Sequence, residues 1–335
     1  MEPDDDLAAR FLALACLTYA DDDPGRRAEA VALLQAHPHL PARDVHVAAA
    51  VADVGALTAL LRADPGLADA RRADGRTPLL ALTYARVPQA DAYGAARLLL
   101  EAGADPDAGV LLDGRVPPFT VLAGCFGEGE QGPGRQPRHP LGEELAGLLL
   151  DRGADPADGQ TLYNRMFGRD DSHLRLLLAH GLGRGDGGTW RRRLGGRQDT
   201  PQRMVALQVD WARARGFPDR LALLAAYGFD EGTPADDPSP WRDDDDLPAV
   251  AGVGTPAGVR RLAAAGGDLD ALVHGRTLLH HAAWMDDVDL VRALLEAGAD
   301  PEVLDETHGS TPLGWAGWAY ASRAAALLRP VTRAV

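Results

Sequence analysis

Lysine is missing from this 335-residue chain, whose 34 basic residues are all arginine. Without lysine there can be no Walker A loop, which needs a lysine on the phosphates. A Schiff base with pyridoxal phosphate and the lysine–glutamate pair of a protein kinase are excluded as well. Serine is almost as scarce, and none of the four serines stands in a Gly-x-Ser-x-Gly motif, which argues against a serine hydrolase.

Cysteine and long apolar runs are also scarce. The two cysteines, Cys16 and Cys125, cannot build a disulfide framework or a four-ligand zinc site, and we expect a reducing cytoplasm. No apolar run reaches about 18 residues, so no membrane span is expected. The net charge of −15 disfavours general nucleic-acid binding and anionic membranes. Neither a metal site nor a cofactor is expected, since no His-Glu-x-x-His or calcium-loop motif is present.

A short sequence motif that ends helices recurs along the chain. Ala-Gly-Ala-Asp-Pro stands at 102–106 and 297–301, and Gly-Ala-Asp-Pro stands at 153–156, each after a leucine-rich run. Glycine adopts the left-handed conformation after a helix, and proline cannot continue the helix. Weaker copies scatter around a period of about 33 residues. Helices ending on these copies are predicted at 26–36, 54–63, 94–102, 142–152, 172–180, 218–227, 256–265, 287–297 and 321–328.

A second signature starts the helix that comes before each of these. Thr77-Pro78-Leu79 and Thr311-Pro312-Leu313 place a threonine cap before a proline, and the fullest copy spans 275–283. Together the two signatures resemble the ankyrin repeat family, whose pattern is Gly-x-Thr-Pro-Leu-His-x-Ala-Ala followed by Leu-Leu-x-x-Gly-Ala-Asp. The resemblance implies an all-α fold, an α-solenoid of about nine stacked helix pairs. Stacking buries the apolar faces that no pair can bury alone.

The expected organisation is a single solenoid over residues 1–335. We predict an N-terminal cap repeat at 1–42 and regular repeats at 43–108. Irregular repeats are expected at 109–247, and regular repeats with a C-terminal cap at 248–329. The resemblance also implies that His46 and His280 bridge backbone groups of neighbouring turns. Asn164 occupies the same position in an irregular repeat.

Three insertions interrupt the irregular repeats, at 109–140, 183–216 and 229–247. Loops on a rigid scaffold often carry function, although drift in a Gly- and Arg-rich sequence would also produce them. The segments 116–130 and 160–185 are similar to a group of bacterial ankyrin-repeat proteins, a likeness that implies a fold but no activity.

Aligning the threonine caps predicts a partner-binding groove. The residue seven positions after each cap ends the first helix and faces the concave groove in ankyrin proteins. In this chain these residues are Tyr84, Trp284 and Trp318, with Phe126 and Trp211 near comparable positions. Exposed aromatic side chains are good binding anchors, although a tryptophan packed against the next helix is the alternative. The favoured function is a cytoplasmic interaction module that binds a protein or peptide partner, with a basic partner favoured by the acidic charge.

The alternative function is a cofactor-independent lyase, cyclase or hydrolase, or a small-molecule binder. Its pocket in the groove would be formed by the insertions at 109–140 and 183–216. The candidate acid–base residues are Glu128, His139, Asp171 and His173. A structural role competes with this interpretation, because Asp171 also stands where a helix N-cap is expected.

The densest positive cluster is a candidate anion site. It consists of Trp190, Arg191, Arg192 and Arg193. Guanidinium groups bind carboxylate or phosphate through paired hydrogen bonds. Pairing with the nearby Asp186 and Asp199 is the structural alternative.

Overall fold

The computed structural model describes residues 3–19, 22–112, 116–129, 131–232, 256–273, 275–306, 308–319 and 321–333. Within these residues the secondary structure is mostly α-helical. The helices α1 to α19 span, in order, Asp4–Ala15, Pro24–Ala36, Val45–Ala50, Val54–Ala63, Pro78–Tyr84, Ala92–Glu101, Val121–Phe126, Gly132–Arg135, Gly142–Asp151, Gly159–Met166, Ser172–Ala179, Gly188–Leu194, Pro201–Arg215, Pro218–Ala226, Pro256–Ala264, Leu278–Trp284, Val288–Ala297, Pro312–Trp318 and Ser322–Leu328. Two short strands, Gly109–Val110 and Phe119–Thr120, pair antiparallel.

All nine helices predicted from the recurring sequence motif are present, and their ends differ from the prediction by at most two residues. Gly103, Gly153 and Gly298 follow three of them with φ of 101°, 100° and 97°. A side chain is disfavoured in this left-handed region, which explains why glycine marks these helix ends. The predicted all-α class and the pairing of helices are confirmed.

Several first helices of the pairs begin at a polar cap. Thr77, Thr277 and Thr311 each accept a hydrogen bond from the amide three residues on, as the sequence predicted. Asp44 performs the same function for α3, where its carboxylate accepts from the amides of His46 and Val47. Such caps satisfy amides that have no partner inside the helix.

The predicted bridging histidines are also confirmed. His46 Nε2 lies 3.0 Å from the carbonyl oxygen of Ala70, and His280 Nε2 lies 2.9 Å from that of Ser310. The Thr277 amide donates to His280 Nδ1, so His280 carries its proton on Nε2 and donates it to the next turn. Asn164 differs, since its side-chain oxygen accepts from Gln160 within the same helix.

The chain divides into two compact units. Unit 1 comprises Met1–Met166 and Asp170–Val205, and unit 2 comprises Phe167–Arg169 and Ala206–Val335. The core of unit 1 is built from buried leucines of successive pairs, such as Leu57, Leu79 and Leu99. That of unit 2 includes Leu279, Val291, Leu294 and Leu328. One continuous solenoid over the whole chain stays a prediction.

The insertions contain short elements of their own. In the first insertion the two strands lead into α7, and α8 follows. The second contains α12 and the whole of α13. Most of the third insertion, 233–247, lies outside the described residues. In the part of the chain that the structure describes, no helix is long and apolar enough to cross a membrane.

Candidate functional site

Glu128, the first acid–base candidate, lies in a network of ion pairs in unit 1. Its carboxylate accepts from Arg138 Nε at 2.7 Å and from Arg165 Nη1. Asp170 closes the network, because its carboxylate contacts both arginines and lies 2.9 Å from Arg165 Nη2. The Arg165 side chain is 1% exposed. These contacts hold the segment before α8 against α10, which is a structural role.

His139 is also occupied by the fold. Its Nδ1 accepts from the Leu141 amide at 3.1 Å, so the proton is on Nε2, which donates to Gln89 Oε1 at 2.5 Å. Burial and the nearby Arg86 guanidinium lower the pKa of His139 to about 3. A histidine with both ring nitrogens hydrogen-bonded and a pKa this low is a poor general base.

Asp171 and His173 lie at the start of α11. Asp171 is buried at the predicted N-cap position of α11, and the Ser172 amide and hydroxyl donate to the neighbouring Asp170. His173 is fully buried, and its ring lies edge-on to Phe126 at 6.2 Å. The structure therefore brings Glu128 to the arginine network and does not assemble the four candidates into one acid–base site.

The unit 1 aromatics are not exposed groove anchors, which corrects the prediction for Tyr84 and Phe126. Tyr84 is 5% exposed, and its hydroxyl donates to the Thr120 carbonyl at 2.9 Å. Its ring lies along α7, where a side chain at Gly124 would collide with it. Phe126 is 1% exposed. In both cases the surrounding residues cover the ring, and for Tyr84 the glycine allows the close approach.

In unit 2 the aromatic residues form a connected cluster. Trp211 is 4% exposed, which corrects the prediction that it is an anchor, while Trp284 and Trp318 are half-buried. Trp284 and Trp318 do not stack directly as predicted. The buried Trp315 lies between them, with ring centroids 5.5 Å from Trp284 and 6.4 Å from Trp318. Arg215 lies over both Trp211 and Trp284. Most of the surface of these aromatic rings is therefore buried in the core of unit 2.

The predicted anion cluster is divided among separate partners. Arg191 Nη1 donates to the Gln198 carbonyl, Arg192 donates to Thr189 Oγ1 at 3.2 Å, and Arg193 lies over the Trp190 ring. These contacts do not support a shared anion site. The Trp190 indole N–H donates to the Asp107 carbonyl at 2.9 Å instead.

Three carboxylates share a recess with Trp190. Asp107, Asp155, Asp158 and Trp190 line one small recess in unit 1. Burial raises the pKa of Asp107 to about 7, and the neighbouring Asp158, Asp155 and Asp105 add to the shift. Burial also raises the pKa of Asp158 to about 6, although hydrogen bonds from Thr120 and Thr161 oppose it. The fold therefore places acidic side chains beside Trp190, where the sequence predicted a positively charged site.

The raised pKa of Asp107 predicts a pH dependence. A carboxyl with a higher pKa in the folded state contributes stability that is complete below pH about 4 and is lost as pH rises through about 7. Asp107→Asn keeps an acceptor for the Asp155 amide but never ionises. At pH 8 we expect this variant to be more stable than the wild-type protein by about 4 kcal/mol, since each pKa unit is worth about 1.4 kcal/mol.

Urea unfolding of both proteins from pH 5 to pH 8 measures this effect. The difference between the two curves isolates Asp107 from other titrating groups such as His139, whose lowered pKa acts in the opposite direction. A constant difference across this range would contradict the assignment.

Two adjacent loops of unit 2 carry exposed apolar side chains that the sequence reasoning missed. Leu272 is 44% exposed and Leu304 is 54% exposed. The loops are joined by two hydrogen bonds, from the Glu306 amide to the Gly275 carbonyl at 2.8 Å and from the Asp300 amide to Asp270 Oδ1 at 2.8 Å. We call the surface of residues 268–273 and 300–306 the loop surface.

The loop surface is held by the helix behind it. Asp305 is buried, and its carboxylate accepts from the Ser310 amide and the Trp315 indole N–H, both at 2.9 Å. From the same loop, His308 contacts the Trp318 ring at 5.1 Å. The signal that could have located this surface is the spacing, because Leu272 and Leu304 follow the Gly266 and Gly298 landmarks by the same six residues.

One family model agrees with the repeat pattern. The ankyrin repeat family model matches residues 274–306. Among curated proteins, none matches the chain. Among solved structures, the human ASB11 ankyrin repeat domain is similar at 16% identity over 83% of this chain and 96% of that one, with a TM-score of 0.35. The capped helix pairs, the glycine-terminated second helices and the bridging histidines extend the pattern of this repeat to other parts of the chain. Residues 274–306 of this chain are an ankyrin repeat.

Proposed function

We propose that the protein is an interaction module that binds a basic, partly apolar segment of a protein partner on the loop surface of unit 2. Ankyrin repeats are generally modules for protein–protein interaction. The observation that carries the proposal is the pair of exposed leucines, Leu272 and Leu304, on hydrogen-bonded neighbouring loops. Apolar side chains at equivalent positions of successive repeats form a surface that water covers poorly.

The loop surface is ordered before a partner arrives. The carboxylate of Asp305 fixes its own loop through the Ser310 amide and the Trp315 indole. A binding surface that is already ordered loses little conformational entropy on association. More of the free energy gained from apolar contact therefore contributes to affinity. Leucines on this frame can serve as anchors for a partner.

The charge around the two leucines favours a basic partner. Asp300 and Glu306 are exposed in the second of these two loops, and the whole chain has a net charge of −15. An acidic surface attracts a basic segment over several ångströms and rejects acidic ones. A cytoplasmic location, expected from the two free buried cysteines, belongs to the same proposal.

A peptide selection tests the proposal, because the library itself supplies the candidate partner segments. A phage-displayed peptide library is selected on the wild-type protein, and the affinity of each selected peptide is measured by titration. The double variant Leu272→Asp with Leu304→Asp is then titrated with the same peptides. We expect selected peptides to combine Lys or Arg with apolar residues, and to bind the double variant at least about 30-fold more weakly.

Leu141→Asp is the matched control, because Leu141 is an exposed leucine of unit 1. It should bind the peptides as tightly as the wild-type protein does. Equal binding by the double variant, or selected peptides without basic residues, would contradict the proposal. Trp284 is unsuitable for this test, because its ring packs against Phe167, Trp211 and Trp315, and its loss would disturb the core.

A further inference from the structure

The recess in unit 1 is the strongest unassigned feature of the molecule. Two of the three insertions contribute to it. The insertion at 109–140 supplies Pro118 and Thr120, and the insertion at 183–216 supplies Trp190 and Gln198. Asp107, Asp155 and Asp158 line the rest together with Ala157 and Gly159. Insertions that converge on one recess from different parts of the chain suggest more than drift in loop length.

Gln198 supplies an observation independent of the acidic cluster. The residue is 4% exposed, and its side-chain oxygen is buried without a hydrogen-bond partner. Leaving a buried polar atom unpaired is costly, so such an atom calls for an explanation. Because Gln198 lines the recess, a donor placed there would satisfy it.

Two carboxylates of the lining, those of Asp107 and Asp158, are also acceptors. Asp107 is 7% exposed, and its Oδ1 accepts a long contact of 3.3 Å from the Asp155 amide. Asp158 is 5% exposed and is held by Thr120 Oγ1 and by the Thr161 amide at 2.7 Å. The complementary ligand is therefore a cation that donates several hydrogen bonds.

Size and geometry narrow the ligand further. The recess has room for a group of about the size of one water molecule, which suits an ammonium head but not a guanidinium. No set of three or more His, Cys, Asp or Glu in the described part of the chain has the arrangement that a metal ion needs. An ammonium group has three donors that rotate freely, which suits acceptors set at irregular angles.

We propose that the recess binds a primary alkylammonium group, with Gln198 Oε1 and the carboxylates of Asp107 and Asp158 as its acceptors. The chain has no lysine, so the amine comes from outside, either as a free small amine or as a lysine side chain of a partner. This site is separate from the loop surface, and neither proposal depends on the other.

Ethylammonium is the first probe. Binding is measured by saturation-transfer NMR and by calorimetry at pH 8 and constant ionic strength, with tetramethylammonium as the comparison cation. We expect ethylammonium to bind with a Kd of about 1 mM, a value near the limit for so small a ligand. Tetramethylammonium has no N–H donor and should bind at least tenfold more weakly.

Two variants and a control locate the site. Gln198→Leu and Asp107→Asn should each weaken ethylammonium binding at least tenfold, and both are conservative in volume. Gln202→Leu replaces an exposed glutamine of the same unit and should leave binding unchanged. Melting curves of each variant confirm that it is folded before the titration.

Two further probes distinguish the source of the amine. If Nα-acetyl-lysine methylamide binds as well as ethylammonium while its Nε-acetylated form does not, the recess accepts a partner's lysine. If only ethylammonium binds, the ligand is a free small amine, and the proposal also stands. Equal binding of tetramethylammonium, no binding of ethylammonium, or undiminished binding by Gln198→Leu would overturn it.

Discussion

Replacing Glu128 by Gln is expected to lower the free energy of unfolding by about 3–5 kcal/mol, the usual cost of breaking a buried ion pair. Glu128 contacts two arginines, Arg138 and Arg165, and the second is almost completely buried. Without the carboxylate, the Asp170 carboxylate faces two guanidinium groups. The remaining excess charge cannot reach water, because the fold covers Arg165.

Urea unfolding followed by circular dichroism measures this loss. The matched control is Glu101→Gln, which removes an exposed ion pair with Arg97 and should cost less than about 1 kcal/mol. Similar costs for the two variants would show that Glu128 is not in a buried network.

A charge-balanced double variant sharpens the result. Changing both Glu128 and Arg165 to Met removes one charge of each sign and leaves the Arg138–Asp170 pair intact. Because a buried pair replaced by apolar residues is often tolerated, this protein should be more stable than Glu128→Gln alone. A larger loss in the double variant would mean that the pair itself is strongly favourable.

Replacing Arg86 by Met is expected to cost about 4 kcal/mol. This is less than the sum of four hydrogen bonds from a charged donor, worth about 1.5–3 kcal/mol each, because the variant no longer has a charge to bury. The Arg86 guanidinium donates to four backbone carbonyls of unit 1. Its Nε donates to Pro137 at 2.7 Å, Nη2 to Gly124 at 2.7 Å, and Nη1 to Thr83 and Ala85 at 2.8 and 3.0 Å. Three of these carbonyls lie in or just after α5 and α7, where helix ends leave carbonyls without partners.

Arg86→Lys separates charge from geometry. Lysine keeps the positive charge beside the helix ends but lacks the planar fork, so it cannot reach all four carbonyls. Melting temperatures should fall in the order wild type, Arg86→Lys, Arg86→Met. The control Arg97→Met, at an exposed arginine of α6, should melt close to the wild-type protein. A melting temperature for Arg86→Met equal to that of the control would contradict the role of Arg86.

The helix boundaries could be read from the sequence because their causes are local. Thr277 caps α16 through an amide three residues away, and Gly298 ends α17 by its own left-handed backbone. Both effects depend on residues within one turn of the helix. The partner of His280 lies in the next repeat, at Ser310, and the regular repeat length makes its position predictable.

The side-chain environments of the sites could not be read in the same way. Tyr84 and Trp284 occupy equivalent positions, yet Tyr84 is buried along α7 and Trp284 is half-buried beside Trp315. The difference depends on which neighbour faces each ring, such as Gly124 beside Tyr84. Aligning the repeats predicts the position of a residue in its helix but not which neighbouring groups cover its side chain.

Sequence alone determined that this chain is built of capped helix pairs, where each predicted helix ends, and that lysine-dependent chemistry is absent. Only the tertiary structure decided that Glu128 joins an arginine network, that Trp190 lies among carboxylates, and that Leu272 and Leu304 stay exposed. The physical reason is the range of the interactions. Caps and turns act over a few residues, whereas burial, desolvation and ion pairing depend on groups that the sequence separates by tens of residues and only packing brings together.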